Sequence, residues 1–261
     1  MTKKYINNEY LKSANINDPF YDIEVHDAVL KFIKQIVESG CSSNNKIDKM
    51  LAFDVGAYVG SSIPRIKAMG FDRVFCFEAD PETFSILVDN YKNIQGISLL
   101  NQGISSKSGA VSFYKCDRNR PFLNTMHKNW IFETKHKELV SNVTEIKVET
   151  ITLQSFIESK KIFPGYIKID VEGHELQVLQ GLDYKAPILS FEWISELADK
   201  NSDCLKEAHR IGYTRFNLST INEDILGPED DWLELEDAIN KFYEFEKEDS
   251  KMTLWGNAWC I

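Results

Sequence analysis

The sequence predicts a doubly wound α/β fold, a mostly parallel sheet with helices on both faces, and three observations predict it. Short apolar runs suited to buried strands alternate with amphipathic stretches along most of the chain. Four of these runs end in an acid, at Asp54, Glu78, Asp170 and Glu192. The first run leads directly into a glycine-punctuated turn, Asp54-Val55-Gly56-Ala57-Tyr58-Val59-Gly60, and strand, glycine loop, helix and a second acid-ended strand form the layout of a nucleoside-binding unit.

With 261 residues, 43% of them hydrophobic, the chain can bury a sizeable core without disulfides. One main body is expected over residues 46–261, with an N-terminal arm and helix, 1–45, packed on it and a lid-like insertion at 116–142. The five cysteines show no paired spacing, which suggests reduced thiols and argues against a zinc ribbon. A formal charge of −10 disfavours nucleic acid and anionic membranes as partners. Residues 1–20 lack a signal-peptide core and no stretch reaches the roughly 20 apolar residues of a membrane span, so a soluble, cytoplasmic protein is expected.

Residues 1–20 read as a loosely held arm. Val25, Val29, Phe32, Ile33, Ile36 and Val37 then fall at helical spacing, with Gly40 as the stop. After the strand at 51–55, Ser61-Ser62-Ile63-Pro64 offers a hydroxyl cap and an early proline for a helix ending near Gly70. Val74 to Phe77 is the second strand; Asp80 caps a helix burying Phe84, Leu87, Val88 and Tyr91; Ile97 to Leu100 is the third strand. Val111 to Tyr114 is expected to pair with Thr144 to Val148. Between them, residues 116–142 mix Phe122, Met126, Trp130, Ile131 and Phe132 with polar groups, which suits a lid or substrate loop. Leu153 to Ser159 is a short helix, Ile167 to Asp170 a core strand, and Leu176, Leu179 and Leu182 mark the inner face of a helix stopped near Gly181. Ile188 to Glu192 and Thr214 to Leu218 are strands flanking a helix that ends at Gly212. Trp232 to Phe242 is helical, Glu244 to Asp249 an acidic solvated stretch, and Met252 to Ile261 an antiparallel edge strand that brings the sheet to seven strands.

Ligands of such sheets bind outside the carboxyl ends of the strands, where the four acids form one crevice. The first loop lacks the G-x-G-x-x-G that seats a pyrophosphate. An acid there repels phosphate but suits an ammonium group or ribose hydroxyls, and Glu78 is placed to bridge the ribose. A ligand with an amino-acid end, a nucleoside end and no phosphate fits best, which is S-adenosylmethionine. An NAD-dependent oxidoreductase and a non-catalytic binding scaffold are the alternatives.

Four motifs in order, Asp54 to Gly60, Val74 to Pro81, Ile167-Lys168-Ile169-Asp170-Val171-Glu172-Gly173-His174-Glu175, and Pro187 to Glu192, resemble those of the FkbM methyltransferases over about half the chain. The resemblance implies a Rossmann-like class I fold and methyl transfer from S-adenosylmethionine, usually to a hydroxyl of a sugar or small metabolite. It implies that Asp54, Gly56, Ala57, Tyr58 and Gly60 line the methionine end and that Glu78, with Ala79 beside it, holds the ribose. Tyr58 stands where the family pattern usually has Asn, and Ala79 where it has Pro. Asn101, Gln102 and Gly103 are either adenine contacts or an ordinary strand exit. Asp170, Glu172, His174 and Glu192 are the candidates on the acceptor side, one of them as general base; Asp170, which also borders the cofactor, and Glu192 can alternatively hold a hard cation. Lys168 either pairs with a carboxylate of the crevice or reaches out past the strand end. The acceptor is expected to be a small molecule or glycan, and the N-terminal helix or the Trp-rich end offers a surface for a homodimer.

Overall fold

In the first strand the last five residues, Leu51 to Val55, are all buried, the pattern of a strand covered on both faces. The computed structural model describes residues 27–39, 47–116, 121–220, 232–249 and 254–261. The expectations for residues 1–20, Val25 and Gly40 lie outside these.

In chain order the elements are α1 (Asp27–Ser39), β1 (Ile47–Val55), α2 (Ile63–Ala68), β2 (Arg73–Glu78), α3 (Pro81–Tyr91), β3 (Ile97–Asn101), β4 (Gly103–Ile104), β5 (Gly109–Lys115), α4 (Lys128–Glu133), β6 (Thr144–Ile151), α5 (Leu153–Lys160), β7 (Phe163–Ile169), α6 (Glu175–Gln180), β8 (Ile188–Ile194), α7 (Ala198–Ile211), β9 (Phe216–Thr220), α8 (Leu235–Glu248) and β10 (Trp255–Cys260). The main sheet has seven strands in the order β3-β2-β1-β7-β8-β10-β9. Strands β3, β2, β1, β7 and β8 run parallel. Chain order reverses between β1 and β7, so the carboxyl ends of these two strands form the switch point where such sheets bind ligands.

Alternation along the strands builds two cores. Phe53, Val55, Phe77, Ile167, Ile169, Leu189 and Phe191 pack with Phe156 of α5, Leu179 of α6, Leu205 of α7 and Phe242 of α8. On the other face Ala52, Val74, Cys76, Tyr166 and Ile188 pack with Ile33 of α1, Ile66 of α2 and Leu87 of α3. Fully burying side chains of this size contributes about 1.5–3 kcal/mol each before entropy is counted.

The expected pairing of Val111 to Tyr114 with Thr144 to Val148 is present, Ser112 standing opposite Lys147, within a separate three-stranded sheet of order β4-β6-β5. The C-terminal strand is antiparallel, but it stands one place in from the edge, between β8 and β9. Its sequence explains this: Ala258 and Cys260 face one core and Trp259 the other, so both faces are covered, as an inner strand requires. The edge belongs to β9. The acidic stretch from Glu244 is solvated as expected, with Glu244, Glu246 and Glu248 exposed on the last turns of α8.

Candidate active site

Three backbone hydrogen bonds fix the switch point. The amides of Gly56 and Ala57 both donate to the Phe77 carbonyl at 3.0 Å, and the Asp170 amide donates to the Val55 carbonyl at 2.9 Å. Around them opens a cavity of about 350 Å³, within the ~300–1,000 Å³ range of small-molecule sites.

Glu78 is held in this cavity by two backbone amides. Its Oε2 accepts from the Tyr58 amide at 2.9 Å and its Oε1 from the Asp80 amide at 2.8 Å. Burial pushes its carboxyl up to about 8, against the pull of these two amides. Each oxygen keeps a lone pair for a ligand donor, which fits the two hydroxyls of a ribose. The Tyr58 amide reaches Glu78 because Tyr58 has φ 52°, in the left-handed region that few residues other than Gly, Asn and Asp adopt readily.

Gly56, Tyr58, Glu78, Ala79, Gln102, Gly103, Asp170, Glu172 and Glu192 all border the cavity. Asp54, Ala57, Gly60, Asn101 and His174 do not, and each departure has a physical reason. Asp54 points into the protein below the loop: its Oδ2 accepts from Ser62 Oγ and its Oδ1 lies 3.6 Å from Lys168 Nζ. Burial raises its pKa, with Lys168 and Ser62 opposing. Ser62, read as a helix cap, donates to Asp54 and makes no side-chain capping bond. Ala57 is buried. Asn101 donates from Nδ2 to the Glu78 carbonyl at 2.8 Å, bracing the strand end from behind. His174 is buried with its Nε2 2.9 Å from Ser105 Oγ, and burial, aided by His127, lowers its pKa to about 4.

The glycines are required by protein neighbours as much as by any ligand. A Cβ on Gly56, at φ +84°, falls 1.7 Å from the Asp170 carbonyl oxygen, and one on Gly60, at φ +92°, falls 2.2 Å from the Tyr91 ring.

Across the cavity Asp170, Glu172 and Glu192 each place a carboxylate oxygen within 4.8 Å of the others. Lys168 Nζ donates to Asp170 Oδ2 at 2.9 Å. Burial works against the Lys168 charge, but Asp170 and Asp54 outweigh it and hold the ammonium above its usual range. Burial first, and Asp170 next, push Glu172 and Glu192 well above the usual carboxylate range. A carboxyl raised in this way favours its neutral form and is a stronger base than an ordinary carboxylate once ionised. Glu175 shapes the loop instead: its Oε1 accepts from the Val171 amide at 2.9 Å and the Gly173 amide at 3.2 Å.

The segment after β5 roofs this crevice. Phe122, Asn124 and Met126 border the cavity, and the segment is tied to both motif loops. Asn124 Nδ2 donates to Asp80 Oδ2 at 2.9 Å and Thr125 Oγ1 to the Glu172 carbonyl at 2.6 Å. Trp130 lies where a Cβ on Gly173 would fall, 2.1 Å from its ring. Asn124 and Trp255, which also borders the cavity, were not legible as site residues. Asp80, read only as a cap, also takes Lys115 at 3.0 Å and so joins the loop after β2 to β5. An acid that caps a helix two residues after a strand-ending glutamate carries no further signal in sequence.

A switch-point cavity with a buried glutamate at the second strand end, in a seven-stranded sheet whose C-terminal strand is antiparallel, defines the class as Rossmann-like class I methyltransferases. Residues 54–200 match the methyltransferase FkbM domain, and the chain belongs to that family. This sets the NAD-dependent alternative aside. The hexuronic acid methyltransferase AglP of Haloferax volcanii is 34% identical over 134 residues, 50% of this chain and 48% of that protein, so the match spans about half the length of this curated relative. Among solved structures, precorrin-6y C5,15-methyltransferase from Geobacter metallireducens aligns with TM-score 0.39 and 10% identity over 92% of this chain and 91% of its own. The plantazolicin methyltransferase BpumL, in complex with a triazolic desmethylPZN analog and SAH, aligns with TM-score 0.38 and 9% identity over 90% and 83%. Among the described residues no helix is long and apolar enough to cross a membrane.

Proposed function

We propose that the protein uses S-adenosylmethionine to methylate a hydroxyl oxygen of a sugar, in the class of uronic-acid-bearing glycans. The observation that carries this reading is the division of one cavity between Glu78 at one end and the Asp170, Glu172 and Glu192 carboxylates at the other. Glu78 would take the ribose hydroxyls, and Gln102 and Gly103, with the apolar wall of Ile104, Phe113 and Phe122, would take the adenine. When bound, the cofactor supplies a methyl group activated on a positively charged sulfur. The name of the curated relative supports the acceptor class. Three carboxylates at the acceptor end favour a neutral hydroxyl over the sugar's own carboxylate, because like charges packed together are unfavourable.

Glu192 is the base in this reading, since it borders both the main cavity and a smaller one beside it. The acceptor proton passes to its carboxylate as the oxygen becomes nucleophilic. The test is methyl transfer to 4-nitrophenyl β-D-glucuronide, followed by the release of S-adenosylhomocysteine. Glu192→Gln is expected to lower kcat about 100-fold or more with calorimetric affinity for S-adenosylhomocysteine unchanged. No affinity of the wild-type protein for either cofactor form overturns the reading; binding without turnover on any glycan favours the scaffold alternative.

A second reading of the same carboxylates follows from their spacing, since three oxygens within 4.8 Å of one another can hold a hard cation. Activity lost to EDTA and restored by Mg²⁺ would support it; activity indifferent to EDTA leaves Glu192 acting as the base.

A further inference from the structure

Strand β10 runs antiparallel to its neighbours, so its first residue, Trp255, lies at the carboxyl end of β8, beside the cavity. Standing between β8 and β9, the strand turns side chains rather than backbone to the space on either face of the sheet. Asn257 is paired with Glu192 and Trp255 with Ile194. Trp255 and Glu192 therefore project from the same face as diagonal neighbours, about 7–8 Å apart. Along this face Trp259 is buried, while Trp255 and Asn257 keep part of their surface. Trp255 borders the cavity together with Asp170, Glu172 and Glu192. It also packs against the apolar cluster of the roof segment, which includes Leu123, Trp130 and Ile131, so the ring is held in place from one side.

We propose that Trp255 is an acceptor-binding residue, its indole the platform on which a pyranose ring of the glycan lies with its hydroxyls turned toward Glu192. The inference rests on the methyl-transfer reading and deepens it by assigning the group that recognises the sugar ring. A pyranose carries hydroxyls around its rim and C–H groups on its faces. The C–H face suits the electron-rich face of an aromatic ring, and the hydroxyls donate to carboxylates. A small linear alcohol would use the carboxylates alone and gain nothing from the indole. Because a tryptophan side chain is large and rigid, it offers this contact at low entropic cost. A ring lying on the indole presents one edge to Glu192, so Trp255 would also select which oxygen is methylated.

Trp255→Leu removes the platform while keeping an apolar side chain against the roof, and Trp255→Phe restores a ring. The readout is calorimetric affinity of the S-adenosylhomocysteine complex for methyl β-D-glucuronide, a sugar with no aromatic aglycone. Trp255→Leu is expected to weaken it about tenfold and Trp255→Phe to recover most of that loss, with S-adenosylhomocysteine affinity near wild type in both. Unchanged glucuronide affinity in Trp255→Leu overturns the proposal, as does a loss that Trp255→Phe does not restore. A crystal structure of the wild-type protein with both ligands reads the contact directly: a sugar ring against the indole supports the proposal, and a sugar seated elsewhere overturns it. A wild-type complex that binds S-adenosylhomocysteine but no methyl glycoside, with or without a carboxyl group, overturns it as well. Failure of S-adenosylhomocysteine to bind at all would instead bring down the methyl-transfer reading beneath it.

Discussion

The two ends of the cavity are built differently. At the Glu78 end the groups are held by backbone: the Gly56 and Ala57 amides on Phe77, and the Tyr58 and Asp80 amides on Glu78. At the end of the three carboxylates the loop after β7 is held largely by side chains from a distant segment, with Thr125 on the Glu172 carbonyl and Trp130 against Gly173. A backbone frame of this kind is specified within a few residues of each strand end. A side-chain frame depends on partners some 40 residues away, and it can be varied without disturbing the sheet.

Adding one methyl group at each end tests this difference. Gly56→Ala sets its Cβ against the Asp170 carbonyl in a left-handed backbone, where neither partner can yield without moving a core strand. A loss of about 3 kcal/mol of global stability is expected by calorimetry or urea unfolding. Gly173→Ala, also at positive φ, meets the Trp130 side chain first. The expected result is a smaller global loss, a red-shifted tryptophan emission and faster proteolysis within residues 121–142, with S-adenosylhomocysteine still bound. Equal global losses from the two variants would erase the contrast.

A weaker effect is expected from pH at the Glu78 end. Because the Glu78 carboxyl is raised from 4.5 to about 8 in the fold, the stability linked to its protonated form is fully present below about 4.5 and is lost as pH rises through about 8. Ligand hydroxyls donate best to the ionised form, so cofactor binding has the opposite slope. Affinity for S-adenosylhomocysteine should rise on the order of tenfold from pH 6.5 to 9, and Glu78→Gln should bind weakly with no such rise. A flat wild-type profile would show that Glu78 does not hold the ribose.

The same contrast explains what the sequence made legible. The alternation of strands and helices, the acid-ended strands and the location of the crevice follow from local patterns, and Glu78 stands at one of those strand ends. Orientation within the loops was not legible. Asp54 and Glu78 look alike as strand-ending acids, yet Asp54 is turned inward by Ser62 and Lys168. His174 and Glu172 sit two residues apart, and a contact to Ser105, 69 residues away, decides that His174 leaves the crevice. The glycines were readable as special backbone, but not that Asp170 and Tyr91 fill the space they leave. The inner position of β10 was hidden because β9, which covers its free edge, comes earlier in the chain and can be placed only by long-range pairing.

Tyr58 bears on both kinds of frame and gives the smallest predicted effect. Its contribution to Glu78 is made by a backbone amide at 2.9 Å, which any residue except proline retains. Its φ of 52° is a conformation that asparagine, the usual residue of the family pattern at this position, adopts more readily than tyrosine. Tyr58→Asn therefore relieves backbone strain while removing a ring from the cavity wall, and the net change in stability is expected to stay within about 1 kcal/mol. S-adenosylhomocysteine affinity should stay close to wild type and keep its dependence on pH. A tenfold loss of affinity with that pH dependence intact would show that the ring itself contacts the ligand, making this loop a side-chain site as well as a backbone one.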